Sequence, residues 1–180
     1  TDLVPVVGAE RSGSLSASVD VIISNNESSG ILKKARHYGI ENYFICHKNK
    51  KRGVFDFEMS QILENKKIDL ILLIGFMRIL SPGFVDRWDG KIINVHPSLL
   101  PKYAGGMNND VHESVLAAGD KETGCTIHLV TKEVDGGPIL LQKSCPVFEN
   151  DSVESLKERV QELEGKAFIE VINNWSNYGY

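Results

Sequence analysis

The sequence predicts an α/β fold. One domain is expected, residues 1–180, with a mostly parallel, doubly wound sheet in the first half, an antiparallel C-terminal part and a long C-terminal helix. Three observations predict it. Apolar runs of strand length alternate with apolar residues at helical spacing through residue 95, the order of a parallel sheet. Leu70–Ile74 (LILLI) is apolar throughout, as a strand buried on both faces is. Val153, Leu156, Val160, Leu163, Ala167 and Val171 fall on one face of a long helix.

In chain order, Leu3–Val7 (LVPVV) reads as a short first strand, although Pro5 has no N–H for a central ladder. GAERSGSL follows as a glycine- and serine-rich turn, and Val19–Ile23 as the next strand. Ile31, Leu32, Ala35 and Tyr38 have helical spacing, with Gly39 as the terminating glycine. Tyr43–Cys46 reads as a strand. Phe55, Met59, Ile62 and Leu63 mark an amphipathic helix. Ser81 and Pro82 open a short helix that runs through Trp88, as N-cap and first helical residue. Lys91–Val95 is a strand and Val111–Ala118 a short helix. Cys125–Val130 and Ile139–Cys145 are two strands joined across KEVDGG, and Asp151 with Glu154 reads as a capping box before the last helix. One spacing conflicts with this order. Only Gly8–Ser18 lies between the first two strands, and a parallel crossover needs a dozen residues or more. An antiparallel pair, or residues missing around Gly8–Leu15, is therefore expected.

Composition narrows the function classes. The chain has 180 residues, 42% hydrophobic and 24% charged, with a net charge of −4, so an ordinary globular domain is expected. The acidic balance argues against a nucleic-acid partner, and the basic run Lys48, Lys50, Lys51 and Arg52 is too short to alter that. No apolar stretch reaches membrane-spanning length, so no membrane partner is expected. Cys46, Cys125 and Cys145 are odd in number and far apart, which argues against a disulfide framework and for a cytoplasmic, reducing setting. No metal is expected, because His96, His112 and His128 lack tight ligand spacing; for His128, inside TIHLV, a structural role is at least as well supported.

The chemistry gathers at strand ends. In KIINVHPSLLP, Asn94 and His96 stand two apart where Pro97 ends the strand, so both side chains share a face. Ligands of open α/β sheets collect outside such strand ends. Asp135, in the turn VDGGP, and the segment Gly75–Leu80 after LILLI stand at corresponding places. A neutral amide, an imidazole and a carboxylate suit direct acyl transfer, in which the attacking group belongs to the substrate. Asn94 and His96 would stabilise an oxyanion, while Asp135 would tune His96 and help move a proton. A nucleophilic triad through Ser98 is the weaker assignment, since Pro97 intervenes and Ser98 reads as a turn residue.

Together, IINVHPSLLPKY, GFMRILSPGFV, GCTIHLVTKEVDGGPILLQ and PVFENDSVESLKERVQELE resemble the glycinamide ribonucleotide formyltransferases of purine synthesis, over roughly Val19 to Val171. The wider formyltransferase group shares the Asn, the His and the later Asp; HPSLLPKY with GFMRILSP points to this branch. The resemblance implies the formyltransferase fold, 10-formyltetrahydrofolate as donor cosubstrate, the amine of glycinamide ribonucleotide as acceptor, no metal, and a monomer or homodimer. It implies Asn94, His96 and Asp135 as the catalytic trio. For the folate it implies Arg52, Met77, Arg78, Ile79 and Leu80, with Val130, Val134 and Gly136 from the VTKEVDG turn. For the nucleotide it implies Glu164 at the ribose, His112 near the substrate, and Gly13 with Ser14 as the remnant of a phosphate loop.

The sequence departs from that pattern in places. The family's phosphate loop reads like G-x-G-S-N-L and opens a helix, whereas Gly13, Ser14 and Leu15 lack the Asn, and Ser18 already enters the next strand. AGGMNNDVHESVL is longer than the commonest family loop, and Met107–Asp110 have no counterpart. Gly165 stands where the family often has His. A formyltetrahydrofolate hydrolase, another formyltransferase, or a folate- or nucleotide-binding module without catalysis are the alternatives.

Overall fold

The structure, a computed structural model, describes residues 2–106 and 109–179, so Met107 and Asn108 of the longer loop lie outside the described residues. The elements are α1 (Leu3–Arg11), β1 (Val21–Ser24), α2 (Gly30–Tyr38), β2 (Glu41–Phe44), α3 (Arg52–Asn65), β3 (Ile71–Leu73), α4 (Pro82–Arg87), β4 (Ile92–His96), α5 (Asn109–Ala118), β5 (Glu122–Leu129), β6 (Ile139–Pro146) and α6 (Val153–Asn173), with a 3₁₀ turn at Trp175–Tyr178. β1 and β2 form a parallel pair. β3 and β4 are parallel, and β5 and β6 continue that sheet antiparallel, in the order β3-β4-β5-β6.

The two sheets share faces. Val21 and Ile23 of β1 and Ile71 and Leu73 of β3 pack with Phe55, Met59 and Leu63 of α3. Ile22 turns the other way, against Leu3 and Val7 of α1. Leu72 turns to the cluster of Val6 with Val160, Phe168 and Val171 of α6. This alternation follows from the period of two along a strand. Ile92 and Ile93 of β4 enter opposite clusters, both at 1% exposure or less, which fixes the register of the central strand.

Three expectations are corrected. Leu3–Val7 is helical. Leu3, Val6 and Val7 are buried at spacings of three and four, and Pro5 sits in the first turn, where its missing N–H is not needed. The crossover shortfall disappears with that strand. Residues 8–18 are all described, and α1 ends in an ordinary way: Ser12 N donates to Gly8 O, and Ser14 N and Leu15 N both donate to Ala9 O. The capping box of α6 lies one residue later than Asp151 and Glu154. Ser152 and Ser155 cap each other, while Asp151 binds Arg159 in a two-bond fork at 2.6 and 2.7 Å. That fork carries Asp151 well below the usual carboxylate range.

Candidate functional site

β4 leaves the sheet at His96, and the antiparallel register sets Asn94 opposite His128 and His96 opposite Thr126 of β5. Opposed residues point to the same face. So a polar cluster forms on one side of the sheet while Ile93 and Ile127 pack the other. Beyond β5, residues 131–138 turn the chain back into β6. Asp135 takes a left-handed φ of 53°, which an Asp tolerates. A Cβ on Gly137 would stand 1.8 Å from Leu129 O, so the turn closes this tightly only with glycine there. The result brings the Asp135 carboxylate back to β4 and β5.

Asp135 Oδ2 lies 3.3 Å from His96 Nδ1, and Asp135 Oδ1 lies 3.5 Å from His128 Nε2. His96 is 3% exposed. Its Nε2 lies 2.9 Å from Tyr103 O, and a carbonyl can only accept, so Nε2 carries a hydrogen. Nδ1 is then the nitrogen that gains and loses the second proton, facing Asp135. Burial drives the His96 pKa below its ordinary value; the Asp135 carboxylate and the Tyr103 carbonyl act the other way and do not overcome it. His128 beside it and the Gly105 N–H, at 2.8 Å, hold Asp135 below the usual carboxylate range against its partial burial. His128 Nδ1 donates to Leu129 O at 2.9 Å. Its Nε2, when neutral, accepts from Asn94 Nδ2 at 3.3 Å, and when protonated it can donate to Asp135. A proton on this cluster therefore has two imidazoles and one carboxylate to choose among.

These groups open on a cleft of about 570 Å³. Asn94, His96, Asp135, Met77, Arg78, Ile79, Leu80, Val130, Val134, His112 and Glu164 all line it, as the sequence led us to expect. The 77–80 segment follows β3 after Ile74, Gly75 and Phe76. It exposes Met77 and Ile79 while burying Leu80 against α4, which offers an apolar surface. Arg78 lies over the Phe55 ring, 4.8 Å from its centroid. Glu164 of α6 is 6% exposed and pushed up to about 8, by burial and by Asp2 beside it. His112 is 2% exposed, its Nδ1 has no partner among the described residues, and burial and Lys157 lower it to about 4.

Four expected residues do not line the cleft. Gly13 and Ser14 close the C-terminus of α1: Gly13 is its left-handed residue, and the Ser14 hydroxyl donates to Ala9 O. A helix C-terminus presents carbonyls and the negative end of the dipole, the wrong environment for a phosphate. Arg52 is the exposed first residue of α3, and Gly136 turns away behind Asp135. Sequence reasoning missed three participants. His128 passed as a structural histidine, although its place opposite Asn94 follows once β4 and β5 pair. Asp2 passed unread because LVPVV did not read as a helix. Tyr103 contributes only its carbonyl, which leaves no signal in a sequence.

The sequence matches the formyl transferase family over residues 1–172. It is 43% identical over 169 residues to the trifunctional purine biosynthetic protein adenosine-3 of Bos taurus, covering 93% of this chain and 16% of that protein. The chain thus spans about a sixth of that relative. It is 38% identical over 180 residues to the phosphoribosylglycinamide formyltransferase of Haemophilus influenzae, covering 99% of this chain and 83% of the relative. Among solved structures, glycinamide ribonucleotide transformylase 1 from Symbiobacterium toebii superposes with a TM-score of 0.92 at 32% identity, covering 98% of this chain and 82% of that one.

Proposed function

The chain belongs to the formyl transferase family, and from that premise we propose that it moves a formyl group from 10-formyltetrahydrofolate to the amine of glycinamide ribonucleotide, in purine biosynthesis. One observation carries the reading: Asn94, His96 and Asp135, from β4 and a turn 39 residues later, meet in one cleft. That cleft also holds the apolar 77–80 segment for a flat heterocycle and the buried Glu164 for sugar hydroxyls.

The reaction follows from the donors and acceptors. The amine nitrogen attacks the formyl carbon, and the carbonyl π pair moves onto oxygen. Asn94 Nδ2–H is the standing donor for that oxyanion, and His96 Nδ1 joins it as it takes up the proton released by the attacking amine. Asp135, ionised at neutral pH, accepts the amine proton through the shared cluster and returns it to the departing folate nitrogen. No serine or cysteine intermediate is needed, because the substrate supplies the nucleophile. Glu164, neutral at rest, can donate to or accept from a ribose hydroxyl without bringing a net charge near the phosphate. The three cysteines, all unpaired thiols, fit a cytoplasmic setting.

The test is tetrahydrofolate release followed by absorbance. Release that depends on glycinamide ribonucleotide supports the proposal. Release without an acceptor would make the chain a hydrolase, and folate binding without release would make it a binding module.

A further inference from the structure

The turn Lys102–Gly106 reaches both members of the acid–base pair through its main chain. Tyr103 O accepts from His96 Nε2 at 2.9 Å, and Gly105 N donates to Asp135 Oδ2 at 2.8 Å. Neither group can do this unless the turn holds its shape, and Tyr103 sits at φ 59°, a left-handed conformation that a tyrosine adopts only at a cost. Something must hold it there.

Asp120, just before β5, is placed to do so. Its Oδ2 accepts from the Tyr103 hydroxyl at 2.9 Å, and both its oxygens meet Lys102 Nζ, at 3.1 and 3.2 Å. From the other side, Ser98 Oγ donates to Lys102 O at 2.5 Å. Ser98 is itself held by Thr126 Oγ1, which donates to Ser98 O at 2.7 Å and accepts from Leu100 N and Gln142 Nε2. The Lys102 ammonium is 63% exposed, so its ion pair contributes little. The Tyr103 hydroxyl bond, on a carboxylate only 20% exposed, is the firmer tie. Asp120, Lys102 and Tyr103 do not line the cleft.

We propose that Asp120 is a positioning residue for the formyl transfer: by gripping the Tyr103 hydroxyl it keeps the Tyr103 carbonyl on His96 and the Gly105 N–H on Asp135. The proposal rests on the function read above. Losing the grip lets Tyr103 relax toward negative φ. His96 then loses the acceptor that fixes its tautomer, and Asp135 loses a donor. The groups facing His96 are Asp135, His128 and the Tyr103 carbonyl; losing the grip withdraws the carbonyl and leaves Asp135 and His128 beside the ring.

The experiment compares the whole chain with Asp120→Ala, Tyr103→Phe, their double variant and Asp120→Asn, whose amide oxygen still accepts the phenol. Imidazole ¹⁵N resonances are recorded alongside kinetics and melting. Expected are a His96 ring held as the Nε2–H form in the wild type and a tautomer mixture in Asp120→Ala and Tyr103→Phe. kcat falls by at least about tenfold, with folate and nucleotide KM changed little, as misplaced catalytic groups predict. Asp120→Asn recovers most of kcat, and the double variant is no worse than either single one. The pH limb set by His96 moves to lower pH, because the carbonyl that raises its pKa is gone. A His96 tautomer unchanged in Asp120→Ala overturns the proposal, as does a lower melting temperature with kcat and pH profile intact. If the wild type does not turn over, the functional reading fails, and the imidazole resonances alone then decide whether Asp120 sets the His96 ring.

Discussion

Gly165 of α6 lies directly against the ring of Pro5 in α1: a Cβ at position 165 would stand 2.4 Å from Pro5 Cγ and 3.0 Å from its Cβ. The proline ring cannot swing aside, so the two helices approach this closely only because residue 165 has no side chain. The adjacent pair, Asp2 and Glu164, reaches the cleft through the same crossing. We expect Gly165→Ala to destabilise the fold by about 1–3 kcal/mol, the usual cost of overpacking, and to weaken nucleotide binding in parallel. Urea titration measures the first and calorimetry the second. An alanine variant as stable as the wild type would mean that the helices are not in contact here.

Asp135→Asn keeps the shape of the turn and removes the proton acceptor. kcat should fall by at least about 10²-fold, in the range of lost general acid–base catalysis, while folate affinity changes little. Single-turnover rates with fluorescence-monitored folate binding separate the two. Activity surviving largely intact would remove Asp135 from the proton path.

Asn94→Ala takes away a neutral donor and leaves His128 Nε2 without the amide it accepts from. The barrier should rise by roughly 2.7–4 kcal/mol, as for other oxyanion donors. Steady-state kinetics decide it. A change confined to KM would assign the amide to ground-state binding.

Glu164→Gln should separate stability from function. The folded pKa of about 8 lies above the ordinary glutamate value of 4.5, so the folded state favours the proton. The stabilisation from burying a neutral carboxyl is complete below about pH 4.5 and is lost as pH rises through 8. Glutamine stays neutral throughout. From pH 5 to pH 8.5 the wild type should therefore lose at least about 1 kcal/mol relative to the variant, while the variant shows a raised KM for the nucleotide. Denaturation at the two pH values tests this, and parallel curves for both proteins would contradict it.

Much of the site was legible in the sequence because it depends on local chemistry. Pro97 ends a β-branched strand, so Asn94 and His96 had to stand at its exit, two apart on one face. The VDGGP turn had to return the chain into β6, carrying Asp135 with it. The N-terminal segment was not legible. LVPVV is as apolar and β-branched as a strand, and the helical spacing of Leu3, Val6 and Val7 becomes decisive only when β1, α2 and α6 supply the surfaces they bury against. The phosphate loop placed at Gly13 and Ser14 failed with it, because both residues belong to the end of that helix. The capping box slipped by one residue because Asp151 and Ser152 are both good caps, and Arg159 claims the aspartate.

The order of strands and helices after residue 19 and the residue types able to manage charge on a carbonyl were determined by the sequence alone. Each follows from periodicity, backbone restriction or side-chain chemistry within a few residues, whereas β3, apolar throughout, stands half-buried at the edge of its sheet. Which groups share a proton was decided only by the tertiary structure. His128 joins Asn94 and Asp135 through the β4–β5 register, and a backbone carbonyl from Tyr103 sets which nitrogen of His96 faces the carboxylate. A proton moves only across hydrogen-bond distances, and those distances are fixed by packing between segments that lie far apart in the chain.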